Sequence, residues 1–392
     1  MSRPHVLLIT LDQFRGDSLS AAGHPVVRTP NIDRLAANGV RFARHYTQST
    51  PCSPGRAGLY TGMYQMNHRV VANGTPLDRR FDNVALMARR AGYEPALFGY
   101  TDQSIDPRVA AGPDDPRLSS YEGLLPGFTW QLNLSGPHQP WVDFLAAQGH
   151  DVSPGHLHLL STEHERPAEH GVSAFTTDRI IDWLKQRESS EPWFVHASYL
   201  RPHPPYSAPG HFATMYDPSD VGLPIPPTDD RHPFHDLILS IDGVAAPTDE
   251  TSIRHLRAQY YGFPLTPFLD GDAPTSWRDA ASWEFDWRYA LIPLDSNPWP
   301  WDRRLEECNL AVHRTDDTAY VQFGDGTSMC FDLAADPTWR TLITDPARIL
   351  EMTRRMLTWR SRHLDRTHTG LLVQSGGVGI WPPGVEWKEP NS

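Results

Sequence analysis

The chain has 392 residues, 39% hydrophobic and 21% charged, with a formal net charge of −12 and a pI near 5.8. That length is enough for a large core and two or three domains, and the acidic balance excludes a general nucleic-acid or anionic-membrane binder. No apolar run approaches a membrane span, and the three cysteines, Cys52, Cys308 and Cys330, have neither zinc-like spacing nor an even count for a disulfide framework. The apolar stretch that follows Met1 is too short for a signal peptide, so a cytoplasmic location is expected.

Val6–Leu11 is a short, continuous apolar run, which predicts a strand buried on both faces. It ends in Asp12-Gln13, and in open α/β sheets ligands gather beyond the carboxyl ends of strands. A turn cap is the ordinary alternative for such an aspartate. Thr29-Pro30-Asn31 reads as the start of a helix whose apolar face uses Ile32, Leu35 and Ala36 and whose stop is Gly39. Val40–Tyr46 reads as a strand leading into Ser49–Gly62.

In that stretch Cys52, Pro54 and Arg56 stand at alternate positions, with Thr61-Gly62 after four more residues. Pro54 suits a first helical turn, where its missing N–H breaks no hydrogen bond. Cys52 then lies at or just before a helix N-terminus, whose free N–H groups and positive dipole favour anions, and Arg56 adds a charged fork. A lone cysteine beside a turn is ordinarily a small buried hydrophobe; the spacing sets this one apart.

Further on, Asp82 or Asn83 caps a helix through Ala91, Gly92 ends it, and Pro95–Tyr100 returns as a strand, an alternation that favours a parallel sheet with helices on both faces. Residues to about 170 are rich in Pro, Gly and Asp and read as an active-site or subunit-contact insertion or a surface excursion. Thr176–Arg187 predicts a helix and Trp193–Tyr199 a strand, which delivers the turn Arg201-Pro-His-Pro-Pro-Tyr206 with His203. Residues 217–250 read as polar loop, and Arg254–Tyr261 as a short helix. Ala319–Phe323 and Ser328–Leu333 form a hairpin around Gly324-Asp-Gly326. Asp345-Pro346 opens a helix whose stripe uses Ile349, Leu350, Met356 and Leu357. The order of elements divides the chain into 1–262, a large α/β domain, and 263–392, a smaller α+β region with a terminal helix.

Cys-x-Pro-x-Arg followed by x4-Thr-Gly resembles the sulfatase signature, whose cysteine is converted after translation to formylglycine. Within that group the chain looks most like phosphonate monoester hydrolases and their arylsulfatase relatives. The stretches that carry the likeness are Leu11–Asp17, Met66–Arg69, Asn73–Asp78, Phe98–Asp102, Arg201–Tyr206 and Trp283–Arg288. Gln13 is part of it, since many sulfatases have Asp-Asp where this chain has Asp12-Gln13. The resemblance implies an alkaline-phosphatase-like sulfatase fold, a mainly parallel sheet flanked by helices. It implies hydrolysis of phosphonate monoesters, phosphodiesters or sulfate esters by a formylglycine nucleophile from Cys52, with a divalent metal (manganese, calcium or magnesium) held by Asp12, Gln13 and residue 52. Arg56 would orient the nucleophile, Asn73, Tyr100 and Asp102 would contact the substrate, and His203 would assist the leaving group. The implied partners are a small ester substrate, a sulfatase-maturing enzyme and further copies of the chain.

The family also carries an Asp-His-Gly segment with two more metal ligands and a nearby lysine. No Asp-His-Gly occurs here, the only lysines are Lys185 and Lys388, and Gln259-Tyr-Tyr-Gly262 runs directly into Phe263-Pro-Leu-Thr-Pro-Phe-Leu-Asp-Gly271. The resemblance therefore implies that part of the central sheet is missing, which exposes apolar strand edges and lowers stability and activity unless rearrangement or oligomer contacts compensate. Asp229-Asp-Arg-His232 and His235-Asp236 are substitute ligands only if they are more than polar loop. The alternative function is a sulfatase-like protein that is impaired or non-catalytic because half of its metal site is lost.

Overall fold

The computed structural model describes residues 3–188, 191–226, 228, 231–239, 246–263, 279–287 and 307–364, with two short strands at 372–373 and 379–380. The first sheet has four strands, β1 (Val6–Leu11), β3 (Pro95–Gly99), β4 (Thr129–Asn133) and β5 (Phe194–Tyr199), in the order β1-β5-β3-β4 and all parallel. Alternation along β3 explains its central place. Ala96 and Phe98 join one apolar cluster with Trp141, Leu145, Phe175 and Val195, whereas Leu97 joins another with Ala57, Tyr60, Ala85 and Phe194.

The helices that supply those residues follow the local signals. In α4 (Val84–Arg90), Asn83 is the cap, its side chain accepting from the N–H groups of Ala85 and Leu86 at 2.9 and 3.1 Å. Gly92 follows at φ +83°. Helix α7 (Val172–Lys185) packs Trp183 edge-on against Phe98 with ring centroids 5.9 Å apart. Helix α1 (Pro30–Asn38) begins after Thr29 and stops at Gly39, as its sequence predicts.

The second sheet has the order β2-β6-β7-β8-β9, from β2 (Ser49–Thr50), β6 (Ala281–Asp286), β7 (Asn309–Arg314), β8 (Thr318–Phe323) and β9 (Ser328–Asp332). β2 pairs parallel with β6, and the others are antiparallel, with β8 and β9 forming the expected hairpin. The second sheet thus takes its first strand from the chain that leads into Cys52. Glu284 ties it to the N-terminal half by accepting from the Met66 N–H at 2.7 Å in α3 (Gln65–His68).

Five expectations are corrected. Val40–Tyr46 is not a strand: Phe42 is 52% exposed, and without a buried face the segment has nothing to pair against until Ser49. Residues 101–170 contribute β4 and the helices α5 (Gln139–Ala147) and α6 (His156–Ser161), and Trp141 and Leu145 of α5 are fully buried. The terminal helix α10 (Pro346–His363), capped by Asp345, buries Met352, Met356 and Trp359, while Leu350 and Leu357 are 49% and 58% exposed. The buried set, with Ile349 packed against it, keeps the three- and four-residue steps of one helix face, whereas Leu350 and Leu357 each lie one residue past a member of it, Ile349 and Met356.

The fourth correction concerns β1. Its six residues are all only partly buried, because among the described residues it is an edge strand paired only with β5. An uncharged Val-Leu-Leu-Ile-Thr-Leu edge is the consequence that loss of neighbouring strands implies. No helix among the described residues is long and apolar enough to cross a membrane. The segments 264–278 and 288–306 lie outside the described residues, as do Asp229 and Asp230. The fifth correction is in 217–250, expected as polar loop: Pro233, suited to a first helical turn, opens α8 (Pro233–Leu239) there, ahead of α9 (Glu250–Tyr261). His232, just before α8, bonds to Asp325 and Thr327 of the β8–β9 hairpin at 3.1 and 2.9 Å.

Candidate active site

Parallel pairing aligns the carboxyl ends of three strands, because Leu11 is in register with Tyr199 and Phe98 with Ala197. Each strand releases site residues at that end: Asp12-Gln13 after β1, Tyr100 and Asp102 after β3, and the His203 turn after β5. Gly99, at φ +111°, is required for the close approach of β3 to β5, since a Cβ there would lie 2.0 Å from the Ser198 carbonyl oxygen.

Cys52 is the first residue of α2 (Cys52–Thr61), after Pro51, and Pro54 falls in the first turn. Gly55 lets the helix lie on β2, because a Cβ there would meet the Ser49 carbonyl at 2.9 Å. The Ser53 backbone is held from both sides. Asn73 accepts from its N–H at 2.9 Å, and Gln103 donates to its carbonyl at 2.9 Å. The Cys52 Sγ is 3.4 Å from Asp12 Oδ1.

Arg56, one turn along α2, is buried at the centre. It donates to Ser198 Oγ at 2.9 Å, to the Tyr60 hydroxyl and Tyr100 carbonyl at 3.2 Å, and to Asp12 Oδ2 at 3.3 Å. Its Nε lies 3.7 Å from Asp102 Oδ2, and its guanidinium stacks 4.6 Å over the Tyr100 ring. The Tyr100 hydroxyl donates to Asp12 Oδ2 at 2.6 Å, and burial drives that hydroxyl up so that it remains a donor.

One ligand atom each from Asp12, Cys52 and Asp102 lies within 4.8 Å of the others. Two buried carboxylates, Asp12 and Asp102, share the one guanidinium of Arg56, which cannot neutralise both. Burial, partly offset by Arg56 and reinforced by Asp12, pushes Asp102 up to about 7. The Cys52 thiol is pushed up by burial and by the same two carboxylates. A divalent cation would neutralise this excess and suits carboxylate donors, so the donor set fits a hard metal. Gln13 and Asp102 both adopt left-handed backbone, at φ +58° and +54°, which costs a non-glycine residue about 1 kcal/mol each. Such outliers on both sides of Asp12 and Cys52 mark a constrained site. Gln13 is exposed and lines, with Asp12, Cys52 and Arg56, a cavity of ≈ 790 Å³; its carbonyl accepts from the Tyr260 hydroxyl at 2.8 Å.

His203 is half-buried, its Nδ1 2.8 Å from the Pro204 carbonyl, and it does not line that cavity. Its turn is fixed by Arg201, which donates to the carbonyls of His203 and Pro205 at 2.7 and 2.6 Å and to Leu160 at 2.8 Å. Arg201 is paired with Glu163 at 2.6 Å, both essentially inaccessible, and Glu163 also accepts from the Val172 N–H at 2.8 Å. The expected residues Asp12, Cys52, Arg56, Tyr100 and Asp102 therefore form one network. Asn73 joins it through the backbone next to Cys52, and Gln13 and His203 stand beside it. Sequence reasoning missed Tyr60, Gln103, Glu163, Ser198 and Arg201. Tyr60 was accessible through its four-residue spacing from Arg56 on a helix; the others become partners only through the strand register and the packing of distant segments.

The sulfatase family model matches residues 4–244. The multifunctional alkaline phosphatase superfamily protein PehA of Trinickia caryophylli is 27% identical over 508 aligned positions, covering 94% of this chain and 97% of that protein. Those 508 positions exceed the 392 residues present by 116, so at least that many positions of PehA have no counterpart in this chain. An arylsulfatase of Clostridium perfringens is 27% identical across 66% of this chain and 56% of its own length. Among solved structures, the phosphonate monoester hydrolase of Agrobacterium radiobacter superposes with a TM-score of 0.83 at 31% identity, covering 97% of this chain and 100% of that one. With a family match over more than half its length and the signature cysteine opening a helix at the carboxyl ends of the parallel strands, this chain belongs to the sulfatase family and is a sulfatase-superfamily hydrolase.

Proposed function

We propose that the chain hydrolyses phosphonate monoesters, phosphodiesters or sulfate esters through a formylglycine nucleophile made from Cys52. The observation that carries this reading is Cys52 at the first position of α2, 3.4 Å from Asp12, with buried Arg56 one turn away. A cysteine pushed up by burial and two carboxylates is a poor thiolate, so the surroundings suit an aldehyde hydrate better than a thiol. Asp12, Gln13 and Asp102, with an oxygen of residue 52, would hold a divalent cation. Such an ion polarises ester oxygens and eases ionisation of the hydrate.

One hydrate hydroxyl loses its proton and its oxygen attacks phosphorus or sulfur. A bond forms there as the bond to the alcohol oxygen breaks, and the alcohol leaves with a proton, the role this reading gives to His203. The second hydroxyl then gives up its proton, the residue-52 carbon–oxygen bond to the phosphonate, phosphate or sulfate breaks, and the aldehyde returns. Water restores the hydrate. A serine would leave an ester needing separate hydrolysis, which is the chemical reason for the aldehyde. Arg56 orients the nucleophile through its buried hydrogen bonds, Tyr100 fixes the Asp12 carboxylate, and Asn73 fixes the backbone beside residue 52. Gln13 and the likeness to phosphonate monoester hydrolases favour phosphorus over sulfur. Division of the chain at Gly262, a cytoplasmic location, a sulfatase-maturing partner and a homo-oligomer belong to the same reading.

The test is the chain co-expressed with a maturing enzyme, assayed on aryl phosphonate and aryl sulfate esters with manganese, calcium and magnesium. Turnover above a Cys52→Ala control supports the reading, and none removes it. The second reading, an impaired or non-catalytic relative, is favoured by the absent Asp-His-Gly and by the positions of PehA without a counterpart. It is distinguished by intact folding without stoichiometric metal or turnover.

A further inference from the structure

A cavity of ≈ 640 Å³ lies between α10 and the β6–β7 pair of the second sheet. The helix lines it with one stripe, Ala347, Glu351, Arg354, Arg355, Thr358 and Arg362, whose steps of three and four residues keep to one face. The sheet side contributes Asp279, Ser282 and His313, the last two directly opposite each other across β6 and β7. Tyr64 and Trp359 add ring surface, packed edge to face with centroids 5.0 Å apart.

The two carboxylates of this wall are already engaged. Asp279 pairs with Arg355 at 2.8 Å, and Glu351 with Arg348 at 2.9 Å. The uncommitted groups are donors. Arg354 and Arg362, both exposed, have no partner among the described residues. Trp359 Nε1 and His313 Nε2 also lack a hydrogen-bond partner, on side chains only 7% and 5% exposed. An indole nitrogen can only donate. Burial and the Arg355 charge push the His313 imidazole down, against Asp279, so the ring is neutral at pH 7. Its Nδ1 is 2.8 Å from Ser282 Oγ, and with that hydroxyl donating, Nε2 carries the ring proton. Buried donors are costly to leave unpaired, and two at one cavity, beside two unpaired cations, call for an anionic acceptor. The local surplus of positive charge stands out in a chain of net charge −12.

We propose that this cavity is a second, non-catalytic site that binds a tetrahedral oxyanion, phosphate or sulfate, either free or as the head of a small monoester. Guanidinium forks match such oxygens, and the cavity has the volume of a small-molecule site, with room for an organic remainder beside Tyr64 and Trp359. Asp12, Gln13, Cys52 and Arg56 do not line it, so the proposal stands or falls apart from the ester-hydrolase reading.

The test uses the full chain with Cys52 unconverted, treated with chelator and held at constant ionic strength. Inorganic phosphate is titrated while the assigned Trp359 indole N–H signal is followed by NMR. A saturable shift is expected, and chloride is expected to give none. Glycerol phosphate is expected to bind more tightly than inorganic phosphate; equal affinity assigns the site to the free ion. Arg354→Gln with Arg362→Gln, both at exposed positions, is expected to weaken phosphate at least tenfold while circular dichroism stays unchanged. A signal that phosphate leaves in place, or that chloride moves equally, overturns the proposal. So does undiminished binding in a folded double variant. The comparison of phosphate with chloride needs only the parent chain, so it decides the matter even where the variant does not fold.

Discussion

The Glu163–Arg201 pair offers the sharpest test of how the fold holds the His203 turn. Both side chains are inaccessible, and Arg201 spends its guanidinium on Glu163 and on the carbonyls of Leu160, His203 and Pro205. Glu163→Gln keeps the shape and one acceptor but leaves a buried guanidinium without its counter-charge. Breaking one side of a buried pair costs about 3–5 kcal/mol. At roughly 2.1 cal/mol/K per residue, 392 residues unfold with about 0.8 kcal/mol/K, so Tm is expected to fall by about 4–6 °C. Differential scanning calorimetry reads the shift, and the His203 C–H signal in NMR reads the turn. A double replacement, Glu163→Met with Arg201→Met, is expected to cost less than the sum of the single changes, since neither charge is then stranded. A loss below about 1 kcal/mol for Glu163→Gln, with the His203 signal unmoved, would refute the claim that this pair holds the turn.

Three further predictions follow from other parts of the chain. Asp102 is pushed up to about 7 in the folded state, so its contribution to stability is full below pH ~4 and is lost as pH rises through 7. Asp102→Asn, which cannot ionise, is therefore expected to gain on the parent by up to about 4 kcal/mol between pH 4 and pH 8 in chelator-treated buffer, and a pH-independent difference counts against the buried carboxylate excess. Trp141→Ala should cost about 3–5 kcal/mol in urea unfolding, because the ring is fully buried and its N–H bonds to the His170 carbonyl at 2.9 Å; a change under about 1 kcal/mol would mean that α5 is not core. Asn83→Ala removes the side chain that caps α4 and is expected to cost about 1 kcal/mol by the same measurement, with Asn83→Asp recovering most of it.

The legible parts of the molecule were those fixed by local chemistry. Asn83 and Asp345 announced helix starts, Gly92 a helix end, and the apolar run before Asp12 a strand that delivers a polar residue to the sheet's functional end. Cys52 was legible because Cys-x-Pro-x-Arg followed by Thr-Gly resembles the sulfatase signature, with Pro54 suited to the first turn of the helix that Cys52 opens. What stayed hidden depends on contacts distant in sequence. β4, with the burial order exposed, half-buried, exposed, buried, exposed, has no clear period, and only pairing with β3 makes it a strand. The partners of Arg56 on β5, and Glu163 opposite Arg201, are set by parallel register and by the packing of α6 and α7. The edge position of β1 among the described residues ran against its own composition, because an apolar strand does not record whether its neighbour is present.

The claim that ties these features together is that residue 52 is converted and does the chemistry. Mass spectrometry of the tryptic peptide ending at Arg56, taken from chain co-expressed with a maturing enzyme and already assayed on an aryl phosphonate monoester with manganese, tests it most directly. The account predicts that a thiol-bearing side chain is replaced by an aldehyde in the peptide and that turnover scales with the converted fraction, vanishing in Cys52→Ala. Full conversion with bound metal and turnover no higher than in Cys52→Ala would contradict it.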